Sequence, residues 1–476
     1  MKREVLCGVI ASIALAGCVP AHRPPPVAAS VVPPATWRDP ASGPTVAVSA
    51  GWWNTFEDGA LSQVVERALT NNTDVLLAAS RIEEAETQIR LANAARLPTL
   101  STGGGAAYDQ SLSQVTGRAG RVFALQPSLD ASWRLDLFGR LRALTGAARA
   151  AYVATAADRD ATQLAVAAAT AQAYVALLSI DLQLTVTRRT LASRAEARRI
   201  AEDRARLGYS SQLELTQAQS EYEAIAQTIP QLEQAQRIQE NGLRLLTGDL
   251  PGPVTRGTLI ALALPPVPAL MPSELMRRRP DIAAAEARLI AADRVIASRR
   301  AEFLPDVGLS ASVGALFVDQ LAYDPVSLWS IGGSILAPLF QGGRLTAQLD
   351  QANAQRDQAA FAYRGTVLTA FGEVENALVG EKRLREQIAR AIARREILQR
   401  SVTIARDRYR SGYSPFLDEL DAQRNLYAVE LSAISVREQQ FNTLIGLWQA
   451  LGGGWNAGNL PAEAETGSRK AEDIDD

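Results

Sequence analysis

The stretch FALQPSLDASWRLDLFGR, residues 123–140, decides how the chain must be read. Phe123, Leu125, Leu129, Ala131, Trp133, Leu135 and Leu137 fall on one face of an extended chain; Gln126, Ser128, Asp130, Ser132, Arg134 and Asp136 fall on the other. Side chains repeating every second residue specify a strand with one apolar and one polar face. Beyond Gly139 the spacing becomes helical. No proline interrupts residues 139–206, and an unbroken helix of that length is roughly 100 Å long. Leu164, Ala168, Ala171, Val175, Leu178, Leu182 and Thr185 keep the four–three spacing of a coiled-coil seam, as do Val367, Phe371, Val374 and Leu378 in the second half of the chain. A mostly helical chain thus carries a few well-patterned strands, and their polar face needs a purpose.

The chain also repeats itself. ARLPTLSTGGG (95–105) is echoed by EFLPDVGLSASVG (302–314), LDLFGRLRA (135–143) by APLFQGGRLTA (337–347), and DRARLGYSSQLELTQAQ (203–219) by DRYRSGYSPFLDELDAQ (407–423). The order is kept each time, so two structural halves are expected. The first, 51–250, holds strands near 99–110 and 122–137 and long helices 139–207 and 211–247. The second, 281–453, holds strands near 306–318 and 327–340 and long helices 341–411 and 415–450. Residues 251–280 link them, and 454–476 form a polar tail of disordered composition. Pro127 cannot donate to a ladder, so it is expected at the periphery of the paired region or at a bulge. Pro230 is expected to interrupt the long helix 211–247 that follows the first tip turn.

Strands of about ten residues suit a tilted crossing of a bilayer, with the apolar face toward lipid and the Ser/Gly/Asp/Gln face lining a wet interior. Four strands in an open sheet leave unpaired edges, which a bilayer forbids. The chain is therefore expected to close a barrel with copies of itself. Three copies give twelve strands, and the polar face becomes the wall of a pore.

Composition excludes several functions. The 49 basic and 51 acidic residues leave no cationic surplus to recruit nucleic acid. Cys7 and Cys18 both lie in the N-terminal segment and the single histidine, His22, follows in a Pro-rich run. Histidine acid–base catalysis, thiol chemistry and most zinc sites are thereby removed from the folded body. Residues 1–17 carry Lys2 and Arg3, a short apolar core and then LAGC, the pattern of a lipoprotein signal peptide whose cysteine is acylated after cleavage. Residues 18–50 then read as an acylated, Pro-rich leash.

Taken together, GWWNTFEDGALSQVVERAL, LDLFGRLRA, RRRPDIAAAEARLIAA, FLPDVGLSASVG, PLFQGGRLTAQLDQA and the paired GYS turns resemble the TolC-like outer membrane efflux proteins, in particular the lipoprotein (NodT-type) branch serving resistance–nodulation–division pumps. The resemblance runs from Cys18 to about Gly453. It implies a mainly α fold with membrane β: a coiled-coil tube plus four strands per chain, closing as a homotrimer of twelve strands and twelve helices. It implies a passive exit duct in the outer membrane rather than an enzyme, without cofactor beyond the covalent lipid on Cys18. Its implied partners are a periplasmic adaptor protein, an inner-membrane resistance–nodulation–division transporter and outer-membrane lipid. The exit duct of a type I protein-secretion system and a non-conducting lipoprotein scaffold are the competing readings; the strands argue against the scaffold.

The tip turns carry the most specific chemistry. Gly208 and Gly412 suit the left-handed backbone that ends a helix. Ser211 with Glu214 fits a capping box, and Ser414–Pro415 fits an N-cap and first-turn pair. Gly208, Tyr209, Ser210, Gly412, Tyr413 and Ser414 are the expected adaptor-docking residues. By resemblance, Asp418 and Asp421 ring the constriction, and Tyr409 hydrogen-bonds Glu214 as a latch. Ser414 stands where the best-known pattern has an arginine forming a second tie. Plainer readings stay open: Glu214 as a capping residue, Asp421 as a solvated position, Tyr409 as packing beneath the turn.

Overall fold

The computed structural model describes residues 23–39, 47–112, 117, 119–268, 271–319 and 325–460; Cys18 and the tail from 461 lie outside them. In chain order the elements are α1 (Gly59–Asn71), α2 (Thr73–Ala94), β1 (Thr99–Leu112), β2 (Ala119–Leu135), α3 (Arg140–Arg206), α4 (Gln212–Leu246), α5 (Pro272–Arg278), α6 (Pro280–Ala301), β3 (Asp306–Val318), β4 (Val326–Leu336), α7 (Arg344–Arg410) and α8 (Phe416–Ala450). The repeat is metrically close. α2 and α6 both have 22 residues, α3 and α7 both 67, α4 and α8 both 35.

The four strands form one antiparallel sheet in the order β1-β2-β3-β4. Register carries the two-faced pattern across all of it. Leu100, Ala131, Ala311 and Ile331 lie in one row, and Thr102, Leu129, Val313 and Trp329 in the next. The opposite face aligns Ser101, Asp130, Ser312 and Ser330, then Thr99, Ser132, Ser310 and Gly332. Hydroxyls on this face bond one another: Thr99 Oγ1 to Ser132 Oγ at 2.8 Å, Ser312 Oγ to Ser330 Oγ at 2.9 Å. Every residue of β1 and nearly all of β4 is exposed, so neither face of the sheet is covered within the protomer and both edge strands are open.

Pro127 departs from expectation. It lies mid-strand in the central strand β2, opposite Gly104, and the β1–β2 register runs through it without a bulge. The missing N–H instead falls in a gap of the β2–β3 ladder, between the Leu125–Phe317 and Ser128–Gly314 pairs. The chains come close there. A Cβ on Gly314 would stand 2.5 Å from the Pro127 carbonyl oxygen, so that position requires glycine. Pro230 departs too: α4 is continuous through it, so the cost of the lost N–H donor is borne inside an intact helix rather than breaking it.

The tube helices lie in the order α4–α3–α8–α7, with α6 packed on α3 and α7, and α2 on α3. The main core is a belt around their middle. Trp52, Phe56, Leu61 and Val65 from the N-terminal segment meet Ala171, Val175 and Leu178 of α3, Leu259 and Leu275 of the linker region, Val367 and Val374 of α7 and Phe441, Leu444 and Trp448 of α8. Trp52 stacks on Trp448 with 6.4 Å between ring centroids. Thr185 of the proposed seam is exposed; the buried stripe continues through Leu184 and Thr187 instead.

Residues 23–39 are not a free leash. They run along α7 for about 40 Å of helix, fastened at intervals. Arg356, fully buried, donates to the carbonyls of Arg23 and Pro24, each at 3.1 Å, and Arg364 bonds the carbonyls of Ala28 and Ser30. Trp37 packs on Phe371, the Arg38 amide donates to Glu375 at 2.9 Å, and Lys382 pairs with Asp39 at 2.9 Å. Backbone carbonyls of a Pro-rich segment have few internal donors, and arginines on the helix supply them.

Candidate functional site

At the end of α3 and of α7 the chain turns on a glycine with positive φ, +74° at Gly208 and +78° at Gly412. The Tyr209 amide donates to Arg204 O at 2.8 Å and the Gly208 amide to Ala205 O at 3.1 Å; Tyr413 and Gly412 repeat this with Arg408 O at 2.8 Å and Tyr409 O at 3.0 Å. These paired bonds close a helix C-terminus. The tyrosines that follow project into solvent, 81% exposed at Tyr209 and 80% at Tyr413.

The restarts differ between the halves. Ser211 Oγ accepts the Glu214 amide at 3.2 Å, capping α4. In the second half Pro415 occupies the cap position and, among the described residues, no side chain caps α8 and the buried Ser414 hydroxyl has no hydrogen-bond partner. The expected Ser414 cap is therefore one residue early: Ser414 is the counterpart of Ser210, whose hydroxyl is also buried and unpartnered.

The Glu214 carboxylate reaches across to α7 and accepts a hydrogen bond from the Tyr409 hydroxyl. Ser211 caps the Glu214 amide, and the Glu214 carboxylate reaches Tyr409. Tyr409 is 3% exposed, inside a cluster of Ala197, Ala201, Ala218, Phe416 and Leu420. Its ring lies 5.4 Å from that of Phe416, and the Arg204 guanidinium sits 4.5 Å from its centroid on a side chain that also donates to Tyr409 O and Arg410 O. Burial pushes the phenol well above its ordinary range, and the Glu214 carboxylate pushes it further. It therefore stays a protonated donor.

Asp418 and Asp421 are both exposed on the first turns of α8, three residues apart and so on one side of the helix. The Asp418 carboxylate has no partner among the described residues. Asp421 lies 3.6 Å from Arg424, which is ion-paired with Glu221 of α4. That pair opens onto a network that the sequence did not reveal. Glu221 lies 3.7 Å from Arg194 of α3, Arg194 donates to Gln423 at 2.6 Å, and Gln423 donates to Glu419 at 2.7 Å. Arg406 of α7 joins Glu419 at 3.3 Å and Ser193 of α3 at 3.4 Å. The missed signal was Arg194 itself, which stands one heptad after Thr187 and one before Ala201, on the buried stripe.

The arrangement holds no cluster of acids and histidines with metal-ligand grouping among the described residues. It offers instead carboxylates exposed near a helical tip and cross-helix bonds just behind them. Comparison with known proteins gives the family. The model of the family described as "Outer membrane efflux protein" matches residues 64–249 and 271–453, one segment for each structural half. The chain belongs to this family. Among curated relatives, the toluene efflux pump outer membrane protein TtgC of Pseudomonas putida is 32% identical over 488 residues, spanning 98% of this chain and 99% of the relative. The pyoverdine export outer membrane protein OpmQ of Pseudomonas putida is 32% identical over 469 residues, spanning 95% and 98%. Among solved structures, the CmeC outer membrane channel of Campylobacter jejuni superposes with a TM-score of 0.85 over 92% of this chain and 95% of that one; at 24% identity the likeness is one of fold.

Proposed function

We propose that the chain is the outer-membrane exit duct of a tripartite efflux pump, a homotrimer through which small molecules leave passively, closed or opened at its periplasmic tips. One observation carries this reading: a sheet with an apolar and a polar face in continuous register, exposed on both faces and open at both edges. Lipid suits the first face, water the second, and β1 and β4 of neighbouring copies suit each other's edges. The tube helices then extend into the periplasm. Acylation of Cys18 fits the strap: Arg23 is held beside Arg356, about 18 Å along α7 from its start, and the residues between Cys18 and Arg23 span about that distance when extended. The tip turns, with Tyr209 and Tyr413 projecting, are the docking points for the adaptor, which links the duct to a resistance–nodulation–division transporter; the buried hydroxyls of Ser210 and Ser414 shape those turns. Relatives equally similar in sequence carry names for toluene and for pyoverdine, which supports leaving substrate choice to the transporter.

Ile331 and Ser330 test the reading because they are neighbours on opposite faces. Ile331→Arg is expected to block insertion, since an arginine on the lipid face near mid-depth costs about 2–4 kcal/mol in each copy. Ser330→Arg is expected to insert normally and to lower conductance or shift it toward anions. Fractionation and planar-bilayer recording distinguish them; equal tolerance of both arginines would count against a lipid-facing sheet.

At the tips, Tyr409→Phe removes only the hydroxyl and keeps the ring on Phe416. A hydrogen bond to a carboxylate contributes about 1.5–3 kcal/mol, so the open population should rise about tenfold or more. Single-channel recording and entry of vancomycin-sized antibiotics into cells check this; wild-type behaviour in both would remove the latch.

A further inference from the structure

Where α8 ends against the start of α6, a cavity of about 600 Å³ lies between α3 and α7. Its floor is small and apolar: Ala161, Leu164 and Ala165 of α3, Ala377 of α7 and Gly446 of α8. Gly446 keeps the floor open, since a Cβ there would meet empty space. Polar groups converge on the rim. Asn376, Thr443 and Gln449 line it with side chains that make no hydrogen bond among the described residues. Arg279 completes the rim but is fully engaged. It donates to both Asp281 oxygens at 3.0 and 2.7 Å, to Glu373 Oε2 at 2.6 Å and to Ala450 O at 3.0 Å. Asp281 and Glu373 still keep 37% and 49% of their side chains exposed. One cation against two anions leaves the rim a net negative charge.

The cavity opens away from the strap and the belt. On α7, Glu373 stands nine residues from Arg364 and nine from Lys382, both held to the strap. Nine residues make about two and a half turns, which is the opposite side of the helix. On α8, Gly446 stands two residues from Leu444 and two from Trp448, both in the belt core, so it faces away from that core. Strap and belt therefore coat one side of the helical wall and the cavity lies on the other.

We propose that this cavity is a binding station for amphipathic organic cations on the inner wall of the duct, one in each copy. The proposal rests on the duct reading, under which the strap leads to the lipid-anchored N-terminus outside the tube and the cavity opens on the lumen. The apolar floor takes the aromatic or alkyl body of the solute, and the Glu373 carboxylate takes its ammonium group. Size and chemistry both select this class. Ligand sites have volumes of about 300–1,000 Å³, with apolar lining and a few placed polar groups. An organic anion would meet a net negative rim whose guanidinium is already bonded. A small hydrated metal ion would leave the apolar floor uncovered. A conduit needs binding favourable enough to enter and weak enough to leave, and half-exposed carboxylates on an open wall suit that. The station favours passage of one class of solute and leaves selection to the transporter.

The probe is ethidium, a planar organic cation, titrated by fluorescence polarisation into the full-length protein in nanodiscs of zwitterionic lipid, with empty nanodiscs as the blank. Every protein carries Asp418→Ser and Asp421→Ser, which removes the tip carboxylates as competing cation sites. Saturable binding is expected in this parent. Gly446→Leu is expected to abolish it, because the new side chain enters the cavity where no atom stands in its way. Glu373→Gln, which keeps the shape and loses the charge, should weaken ethidium severalfold. Fluorescein, a planar anion, should bind none of the three proteins. A parent without saturable ethidium binding would overturn the proposal, and so would equal affinity in parent and Gly446→Leu. Equal binding of ethidium and fluorescein would overturn the assignment to cations. Planar-bilayer recording of the parent separates this from the duct reading: a parent that conducts without binding ethidium defeats the cavity alone, whereas one that does not conduct defeats the duct and this proposal with it. Leucine is a better helix former than glycine, and sedimentation and circular dichroism establish that the compared proteins share fold and oligomeric state.

Discussion

Gly452→Ala should abolish the folded protein. α8 ends at Ala450, and Gly452 follows at φ +87°, a backbone region costly for any residue with a Cβ. Strain is the smaller part. A Cβ at Gly452 would stand 1.7 Å from the Arg278 carbonyl oxygen, and one at Gly454 would stand 2.0 Å from the Ala50 amide nitrogen. Both obstacles are main chain and cannot rotate away. The neighbourhood is also pinned: Arg279 donates to Ala450 O at 3.0 Å while pairing with Asp281 at 2.7 Å and Glu373 at 2.6 Å, and Trp455 Nε1 donates to Asp160 at 2.8 Å. Relieving the overlap means pulling the end of α8 off the α5–α6 elbow and disturbing a buried arginine, with a cost above about 4 kcal/mol. Typical domains have about 5–15 kcal/mol in hand. Gly242→Ala is the matched control. Gly242 lies inside α4 with open space around its missing Cβ, and alanine there should stabilise by about 0.5–1 kcal/mol. Denaturant unfolding and the yield of membrane-inserted protein read out both. Normal yield from Gly452→Ala would mean that the belt tolerates displacement of the end of α8.

Legibility in the sequence divides along a physical line. Periodicity reports which face of an element is apolar, and repetition reports how many times a unit occurs; strands, long helices and the duplication are all statements of those two kinds. The glycine turns and the Ser211 cap were legible because local chemistry constrains them: left-handed backbone needs glycine, and a helix start needs an acceptor; the Tyr409–Glu214 pairing came from the family resemblance alone. The misreadings come from single residues whose consequence depends on what stands opposite. Pro127 looks incompatible with a central strand until Gly314 is seen to let the neighbouring chain close in. Pro230 looks like a helix breaker, but an amphipathic helix packed along its length keeps its path despite one lost bond. Ser414 looks like a cap because serine–proline is a common start, yet the duplicated frame puts Pro415 where Ser211 stands in the first half. The strap and the Arg194 line were invisible for a further reason. The strap bonds, Arg194–Gln423 and Glu221–Arg424 join residues more than two hundred positions apart, and an arginine in a seam announces a need for partners without naming them.

Replacing Asp418 and Asp421 together by serine should turn a small, cation-preferring conductance into a larger and less selective one. Each trimer brings three copies of both carboxylates toward one axis under the proposed assembly. Like charges at such spacing repel, attract cations from solution and are only partly screened at physiological salt. Both side chains are exposed in the protomer, so serine removes charge and bulk without opening a cavity, and the helix start keeps its other contacts. The two positions should not contribute alike. Asp418 has no protein partner among the described residues, whereas Asp421 is held by Arg424. Asp418→Ser alone should therefore act mainly on selectivity, by subtracting charge from the constriction. Asp421→Ser should shift selectivity less, because the Arg424 guanidinium 3.6 Å away already offsets part of that charge. Planar-bilayer recording of wild type, both single variants and the double, in potassium chloride gradients, separates the two quantities: reversal potential reports charge, and unitary current reports width. A larger shift in reversal potential for Asp418→Ser than for Asp421→Ser would show that Arg424 offsets the charge at position 421. Equal currents in wild type and double variant would move the constriction away from these aspartates while leaving the duct itself standing.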